Sequence, residues 1–256
     1  MDSAERVGGG RNSQTFKVIC GGTDRYAVKH YFLHPTDGRD RLGVEFSGLE
    51  FLWDSGLRSI PEPVAADWER HWAVYEWIEG EDIPGDRVTG LELDEAVEFL
   101  AILHELAGNE ASTHLPAASE ACFSVQETVA NIRLRLNRLR SSENAEGQAQ
   151  GLQHFLVHEF EPLLNEVTKW AKERYARLGR SSSAPLPLTE RTLSPSDFGF
   201  HNALRGTGGR IIFVDFEYFG WDDPAKTVSD FLLHPGMDIA RGLKQRFFAG
   251  VVGRFQ

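Results

Sequence analysis

Strand-like and helix-like patterns are segregated along this chain, and that segregation restricts its fold more than any other feature. The alternating, β-branched and aromatic runs fall in the first eighty residues. "TFKVIC" and "RYAVKHY" are joined by the hairpin signal "GGTD", and "HWAVYEWIEGE" ends near Gly80. One helical pattern interrupts them, "RLGVEFSGLEFLWDSG", with Leu42, Phe46, Leu49 and Trp53 at helical spacing and Gly56 as its stop. Pro61 and Pro63 then break the chain. Beyond Gly80 helical patterns dominate. "LELDEAVEFLAILHELAG" closes on Gly108, and Ser124 with Glu127 forms a capping box ahead of "VQETVANIRLRLNRLR". In that helix Val125, Val129, Ile132, Leu136 and Leu139 make one apolar stripe, expected to face a core. "SSENAEGQAQG" reads as a polar loop. A long helical pattern, bent or started at Pro162, runs to about Leu178, and "GRSSSAPLPL" is a flexible connector. "NALR" and "RIIFVDF" around "GTGG" then return to a β-hairpin. The expected fold is α+β with two lobes. Residues 1–79 make a small lobe of antiparallel sheet plus one helix, and 80–256 a larger, mainly helical lobe with the late β-hairpin. A cleft between two lobes is a natural ligand site.

Composition narrows the partners. The chain has 256 residues, with 27 basic against 38 acidic side chains and a net charge of −11. Sequence-independent nucleic-acid binding needs clustered Lys and Arg, so nucleic acid is not an expected partner. Cys20 and Cys122 are the only cysteines, too few for a disulfide framework or a cysteine metal cluster, and they read as free thiols of a reducing compartment. "MDSAERVGGGRN" lacks the apolar core of a signal peptide, and no apolar run approaches the ~20 residues of a membrane span. A cytoplasmic protein with no membrane partner is expected. The closing "RGLKQRFFAGVVGRFQ" shows no helix stop, which suits a chain that continues past Gln256.

The chemistry concentrates in "SPSDFGFHNALRGTGGRIIFVDFEYFGWDDP". Asn202 follows Asp197 by five positions, and the hairpin links Asn202 to a second aspartate, Asp215. Oxygen ligands of this kind suit Mg²⁺, which takes few protein carboxylates and completes its shell with phosphate and water. The remaining aspartate can accept a proton from a substrate hydroxyl, so the set matches the working parts of phosphoryl transfer. On these residues the chain resembles the aminoglycoside phosphotransferase and choline kinase family, relatives of protein kinases, over Gly8 to about Phe231. The resemblance implies a bilobal kinase-like fold and ATP-dependent transfer to a small-molecule hydroxyl, a sugar or amino sugar before choline-like alcohols. It implies Asp197 as the catalytic base and Asn202 and Asp215 as Mg²⁺ ligands, although "DFG" is spelled at Asp197 and "DFE" at Asp215. It also implies mainly structural roles for Asp223-Pro224 and Asp230. The family loop H-G-D-x-x-x-x-N departs here, with Pro195 and Ser196 in place of its His and Gly. That departure supports an alternative, a nucleotide-binding pseudokinase or scaffold.

A kinase-like chain needs a nucleotide side. Lys29 in "YAVKHY" matches the V-A-I-K pattern as Tyr-Ala-Val-Lys. Ala27 and Lys29 share one strand face, so a small residue can lie against a flat base while the ammonium reaches phosphates. Glu45, rather than Glu50, is the expected partner of Lys29. "GGGRNS", through Gly9, Gly10, Asn12 and Ser13, offers backbone N–H groups to phosphate oxygens. "YEWIEGE" resembles the hinge between lobes, with the backbone of Glu76 and Ile78 on the adenine edge. His154 and His158, four apart, lack the H-E-x-x-H order and read as a solvated helical pair. His104 is expected to pack at its helix end, and His201 to brace its loop. No G-x-S-x-G elbow supports a serine hydrolase.

Overall fold

The computed structural model of the chain describes residues 1–35, 37–141, 148–237 and 239–255. They form two compact units, Met1–Ala121 with Arg191–Gln256, and Cys122–Glu190. The first unit opens with β1 (Ser3–Gly9), β2 (Ser13–Cys20) and β3 (Asp24–Tyr31), followed by α1 (Arg41–Asp54), β4 (Pro63–Asp67) and β5 (Trp72–Glu76). These strands form one antiparallel sheet in the order β1-β2-β3-β5-β4. Gly21 and Gly22, at φ +60° and +79°, make the tight β2–β3 turn that "GGTD" signals. Helix α1 is capped by Asp40, whose carboxylate accepts the Gly43 N–H at 2.8 Å. It buries Leu42, Phe46, Leu49 and Leu52 against β4 and β5.

Two of these strands carry no sequence signal. The glycine-rich start was expected to be a loop, yet Gly8 and Gly9 belong to β1 and only 10–12 turn the chain. Every residue of β1 is exposed, so it has no apolar face to betray it. Pro63 was expected to break the chain and instead begins β4, at the sheet edge, where a missing N–H costs no ladder bond.

The chain continues with β6 (Gly80–Asp82) and α2 (Gly90–Ala107), enters the second unit as α3 (Val125–Ser141), α4 (Gln148–Phe155) and α5 (Glu161–Arg177), and returns with β7 (Thr192–Ser194), β8 (Ala203–Gly206), β9 (Ile211–Phe213), β10 (Gly220–Asp222), α6 (Pro224–Leu233) and α7 (Arg241–Arg254). β8 and β9 are the late hairpin around "GTGG", extended by β6 in a sheet ordered β6-β8-β9. β7 and β10 pair separately.

The core of this part is aromatic. Phe99 of α2 stacks on Phe198 with centroids 5.6 Å apart and lies 4.4 Å from Phe213. Phe198 in turn meets Phe231 at 5.4 Å, and Phe231 stacks on Phe247 at 3.9 Å. Phe198 follows Asp197 and Phe216 follows Asp215, and both phenylalanines are buried. Burying each such ring stabilises the fold by about 1.5–3 kcal/mol. Each therefore anchors the aspartate beside it. Among the described residues, no helix is long and apolar enough to cross a membrane.

Helix α2 starts with a capping box in which the Glu92 carboxylate receives the Thr89 N–H and hydroxyl, and it also receives Arg205 at 2.7 Å. Burial pushes the Glu92 carboxyl up, but the hydrogen bonds from Thr89 and Arg205 outweigh it and hold the group at about 2. A depressed carboxyl pKa contributes stability that is present above the unfolded value and is lost as pH falls through the folded one. Glu92→Gln is therefore expected to be less stable than wild type by ~2 kcal/mol near pH 6, the gap closing between pH about 4.5 and about 2. Urea denaturation of both proteins across that range reads it, and a gap that stays constant with pH contradicts it.

In the second unit, α3 packs on α5, with Arg133 donating to Asn165 at 2.9 Å and Arg140 paired with Glu161 at 2.7 Å. The capping box is displaced by one residue. Ser124 Oγ accepts the Glu127 N–H at 3.1 Å, while the Glu127 carboxylate takes the Phe123 N–H at 2.7 Å. Of the expected apolar stripe only Leu136 is buried; Val125, Val129 and Ile132 are half-buried, and Leu139 is 49% exposed. In "SSENAEGQAQG" residues 142–147 lie outside the described residues, and from Gln148 the chain is helical rather than a loop. A π-helical turn, Leu156–Phe160, joins α4 to α5 without a break, and Pro162 stands directly after it, in the first turn of α5. His154 and His158 are exposed, with ring centroids 4.6 Å apart.

Candidate active site

The sheet, the segment after β5 and the β8–β9 hairpin enclose a cleft of about 550 Å³. Gly9, Gly10, Ser13, Ala27, Glu76 and Ile78 line it together with Lys29, Glu45, Asn202 and Asp215. Asn12 does not line it: its amide donates to Glu217 Oε1 at 2.6 Å and to the Tyr218 hydroxyl at 2.7 Å, which ties the glycine turn to the segment after Asp215. Pro61, Tyr75, Trp77, Leu204 and Val214 complete the apolar walls. Leu204 lies two positions after Asn202, so strand alternation in the hairpin was the signal that could have found it.

Lys29 is the centre of the polar end. Its Nζ lies 2.7 Å from Glu45 Oε2, 2.6 Å from Asp215 Oδ1 and 3.8 Å from Glu217 Oε2. Burial alone would lower its pKa, but Glu45, Asp215 and Glu217 push it the other way and win, so the ammonium is retained. The Glu45 carboxyl is pushed up by burial and restrained by Lys29 and by the Tyr31 hydroxyl, 2.8 Å away. Its other oxygen accepts the Phe216 N–H at 3.3 Å, so Glu45 clasps both the lysine and the backbone beside Asp215. The Glu45 side chain is 4% exposed and that of Asp215 42%, so Asp215 is the one open to a ligand. Glu50 faces solvent. Glu45, Asp215 and Glu217 offer carboxylate oxygens within 4.8 Å of one another. An ammonium already rests on Asp215 Oδ1, and the Asn202 amide nitrogen is turned away to Asp197 O at 2.9 Å, leaving its oxygen as a donor atom. An oxygen donor set with a cation already attracted to it fits Mg²⁺.

Asp197 stands on the turn between β7 and the 3-10 turn Phe200–Asn202. Its Oδ1 lies 3.2 Å from His201 Nε2 and 3.5 Å from His234 Nε2, and the Asn202 amide reaches Oδ2 at 3.3 Å. The hydrogen bond from His201 outweighs burial, and with His234 and Asn202 it holds the Asp197 carboxyl below its usual range. Among the described residues three non-glycine positions have positive φ, and two of them are here: Ser196 at +69° and Asp215 at +65°. Such conformations cost about 1–3 kcal/mol each and gather at functional sites. Beside the cleft is a smaller hollow of about 310 Å³, lined by Asp82, Ile83, Pro84, Phe200, Gly236 and Met237, and His201 borders both.

The remaining sequence candidates fall into the frame. Asp223 caps α6 by accepting the Ala225 N–H at 2.7 Å, with Pro224 opening the helix, and Lys226 bridges buried Asp222 (3.0 Å) and Asp230 (2.6 Å). His104 stacks on Phe255 at 4.2 Å at the end of its helix. Sequence reading missed Tyr31, which strand alternation after Lys29 could have found, and Glu217, Tyr75, Arg41 and His234, which tertiary packing brings to the site.

A family model described as a phosphotransferase enzyme family matches residues 3–251. No curated protein matches the sequence. Among solved structures, the choline kinase LicA from Streptococcus pneumoniae superposes with a TM-score of 0.62 at 19% identity, covering 97% of this chain and 74% of that one. A Plasmodium vivax ethanolamine kinase gives 0.63 at 16% identity, covering 99% and 68%. A spectinomycin phosphotransferase, in complex with ADP and spectinomycin, gives 0.64 at 16% identity, covering 97% and 74%. At such identities these structures show a shared kinase-like fold, which agrees with the α+β, two-lobed expectation.

Proposed function

Because the chain belongs to the phosphotransferase enzyme family, we propose that it moves the γ-phosphate of ATP to a hydroxyl of a small molecule, a sugar or amino sugar in the first instance. The observation that carries this reading is the Glu45–Lys29–Asp215 chain of ion pairs at the polar end of the cleft, which joins strand, helix and hairpin at 2.7 and 2.6 Å. In this reading residues 1–79 are the nucleotide lobe and 80–256 carry the catalytic and acceptor parts. Ala27 and Leu204 flank the base, the backbone of Glu76 and Ile78 meets its edge, and Gly9, Gly10 and Ser13 face the phosphates. Lys29 holds the α/β-phosphates once drawn from Asp215. Asn202 and Asp215 would hold Mg²⁺, whose chemistry is to neutralise charge on the transferring phosphoryl group. Asp197, kept ionised by its hydrogen bonds, accepts the proton of the attacking hydroxyl. The acceptor occupies the smaller hollow, which meets the cleft at His201. Its carboxylate, Asp82, is exposed and suits a cationic group on the acceptor.

Neighbours of this fold include proteins solved with AMP and with ADP, which supports a nucleotide substrate. The test is a screen of sugars, aminoglycosides and amino alcohols for acceptor-dependent ADP release from MgATP. At least one class is expected to raise ADP release well above the rate without acceptor. Tight MgATP binding with no release under any acceptor would instead favour the pseudokinase alternative.

A further inference from the structure

Two imidazoles converge on a single oxygen of Asp197, and they come from distant parts of the chain. His201 belongs to the turn that ends at Asn202, and His234 is the first residue after α6. Their rings lie face to face, with centroids 3.9 Å apart and planes 3° from parallel. The far side of His234 decides what it can do. The Gly236 N–H donates to His234 Nδ1 at 3.1 Å. A nitrogen that accepts carries no proton, so the ring proton of neutral His234 sits on Nε2, the atom that faces Asp197 Oδ1. This tautomer donates to a carboxylate and cannot ligate a metal through the same nitrogen, because a ligating nitrogen must be bare. Asp197 is thus hydrogen-bonded by His201 and faced at 3.5 Å by the protonated nitrogen of His234, an arrangement that suits a brace and not a cation site.

The brace is fastened to the catalytic turn. The Met237 N–H donates to His234 O at 3.1 Å, and Met237 Sδ receives the Phe200 N–H at 3.2 Å. Gly199 packs so close to this segment that an added Cβ would lie 2.6 Å from the Met237 sulfur. Residues before Asp197 hold only its backbone, through the Asp197 N–H donating to Pro195 O at 2.9 Å. Pro195 has no N–H, and the Ser196 N–H is spent on Ser194 Oγ at 3.0 Å. The turn is largely buried, but the Asp197 side chain is 40% accessible.

We propose that His234 is a positioning residue for Asp197. Its Nε2–H, 3.5 Å from Oδ1 and backed by the stacked ring of His201, keeps Oδ1 in place and leaves Oδ2, which among the described residues meets the Asn202 amide, to take the proton of the acceptor hydroxyl. This rests on the reading of Asp197 as the base. It adds that the loop after α6 sets the aim of that base, while also forming one wall of the smaller hollow through Gly236 and Met237.

Long-range ¹H–¹⁵N NMR of the imidazoles in the full chain tests the hydrogen bond with no nucleotide or acceptor present. His234 is expected to carry its proton on Nε2 with a bare Nδ1, and its Nε2 resonance to move in Asp197→Ala. A proton on Nδ1 overturns the proposal. With an acceptor from the screen, His234→Ala is expected to lower kcat by about ten- to a hundredfold, as a small misplacement of a reacting group does, with KM for MgATP within about twofold. His234→Gln, whose amide still donates, should recover most of the loss. Equal loss in both variants at unchanged melting temperature overturns the positioning role, as does a change confined to KM for MgATP. If no acceptor supports transfer, the phosphotransferase reading fails, and the NMR result alone then decides whether His234 holds Asp197.

Discussion

Lys29→Ala is expected to abolish most nucleotide-dependent turnover while the chain remains folded. Lys29 is buried and its ammonium is shared by Glu45 at 2.7 Å and Asp215 at 2.6 Å. Its removal takes away the contact proposed for the nucleotide phosphates. It also strands Glu45, which lies in a pocket where burial already pushes its carboxyl up. Breaking a buried pair from one side costs about 3–5 kcal/mol. Where that cost falls on the nucleotide complex, it corresponds to roughly two to four orders of magnitude in kcat/KM for ATP. Part of it is relieved in the free protein, since Glu45 can take up a proton and keep its bonds to the Tyr31 hydroxyl and the Phe216 N–H. The loss should therefore appear more strongly in turnover and nucleotide affinity than in melting temperature. Steady-state ADP release, calorimetric titration with MgATP and a thermal melt separate these effects. Normal turnover in Lys29→Ala would remove this lysine from the mechanism.

What the sequence made legible was whatever is encoded locally. "GGTD" and "GTGG" announced their hairpins because tight turns demand positive φ, and the structure has Gly21, Gly22 and Gly209 there. α1 was legible from Leu42, Phe46 and Leu49 at helical spacing, and with it the choice of Glu45, one residue before the buried Phe46, over solvent-facing Glu50. β1 and β4 were not legible. Strand pairing is made by backbone groups, and these edge strands carry glycine, proline and exposed side chains instead of an apolar face. The site divides in the same way. Lys29, Asn202 and Asp215 sit on recognisable strand and turn positions and line one cleft. Two of their supports do not: Glu217 and His234 acquire meaning only when the β8–β9 hairpin and the loop after α6 close on the sheet and the turn that carries Asp197. Asn12 shows the converse. It looked like part of a phosphate-binding turn, yet its side chain is committed to Glu217 and Tyr218, a contact 205 and 206 residues away that no local pattern could signal.

Asp197→Asn and Asp215→Ala are expected to fail in different ways, although both begin the same dipeptide, Asp-Phe. Each phenylalanine is buried in the aromatic core, so both aspartates are held by an equivalent anchor and the difference lies in what surrounds the carboxylates. Asp215 lines the cleft, bears the Lys29 ammonium and stands within ligand distance of two further carboxylates. Asp197 does not line that cleft; the His201 imidazole and the Asn202 amide hydrogen-bond its carboxylate, and the His234 imidazole lies 3.5 Å from it. Removing the Asp215 carboxylate should weaken Mg²⁺-dependent ATP binding as well as turnover. Asp197→Asn keeps the size of the side chain and loses only the basic oxygen. It should bind MgATP nearly as wild type does and lose rate. A general base contributes about 10²–10⁴-fold, and because the transition state of phosphoryl transfer is loose, positioning is worth more than proton removal and the loss should fall towards the lower end of that range. Titration of ATP with and without Mg²⁺ in both variants, followed by single-turnover transfer, reads the two effects separately. The spelling "DFG" at Asp197 makes the opposite assignment. If Asp197→Asn abolishes metal-dependent binding while Asp215→Ala leaves it intact, the roles of the two aspartates are inverted, and the cation belongs beside the two imidazoles instead of beside Lys29.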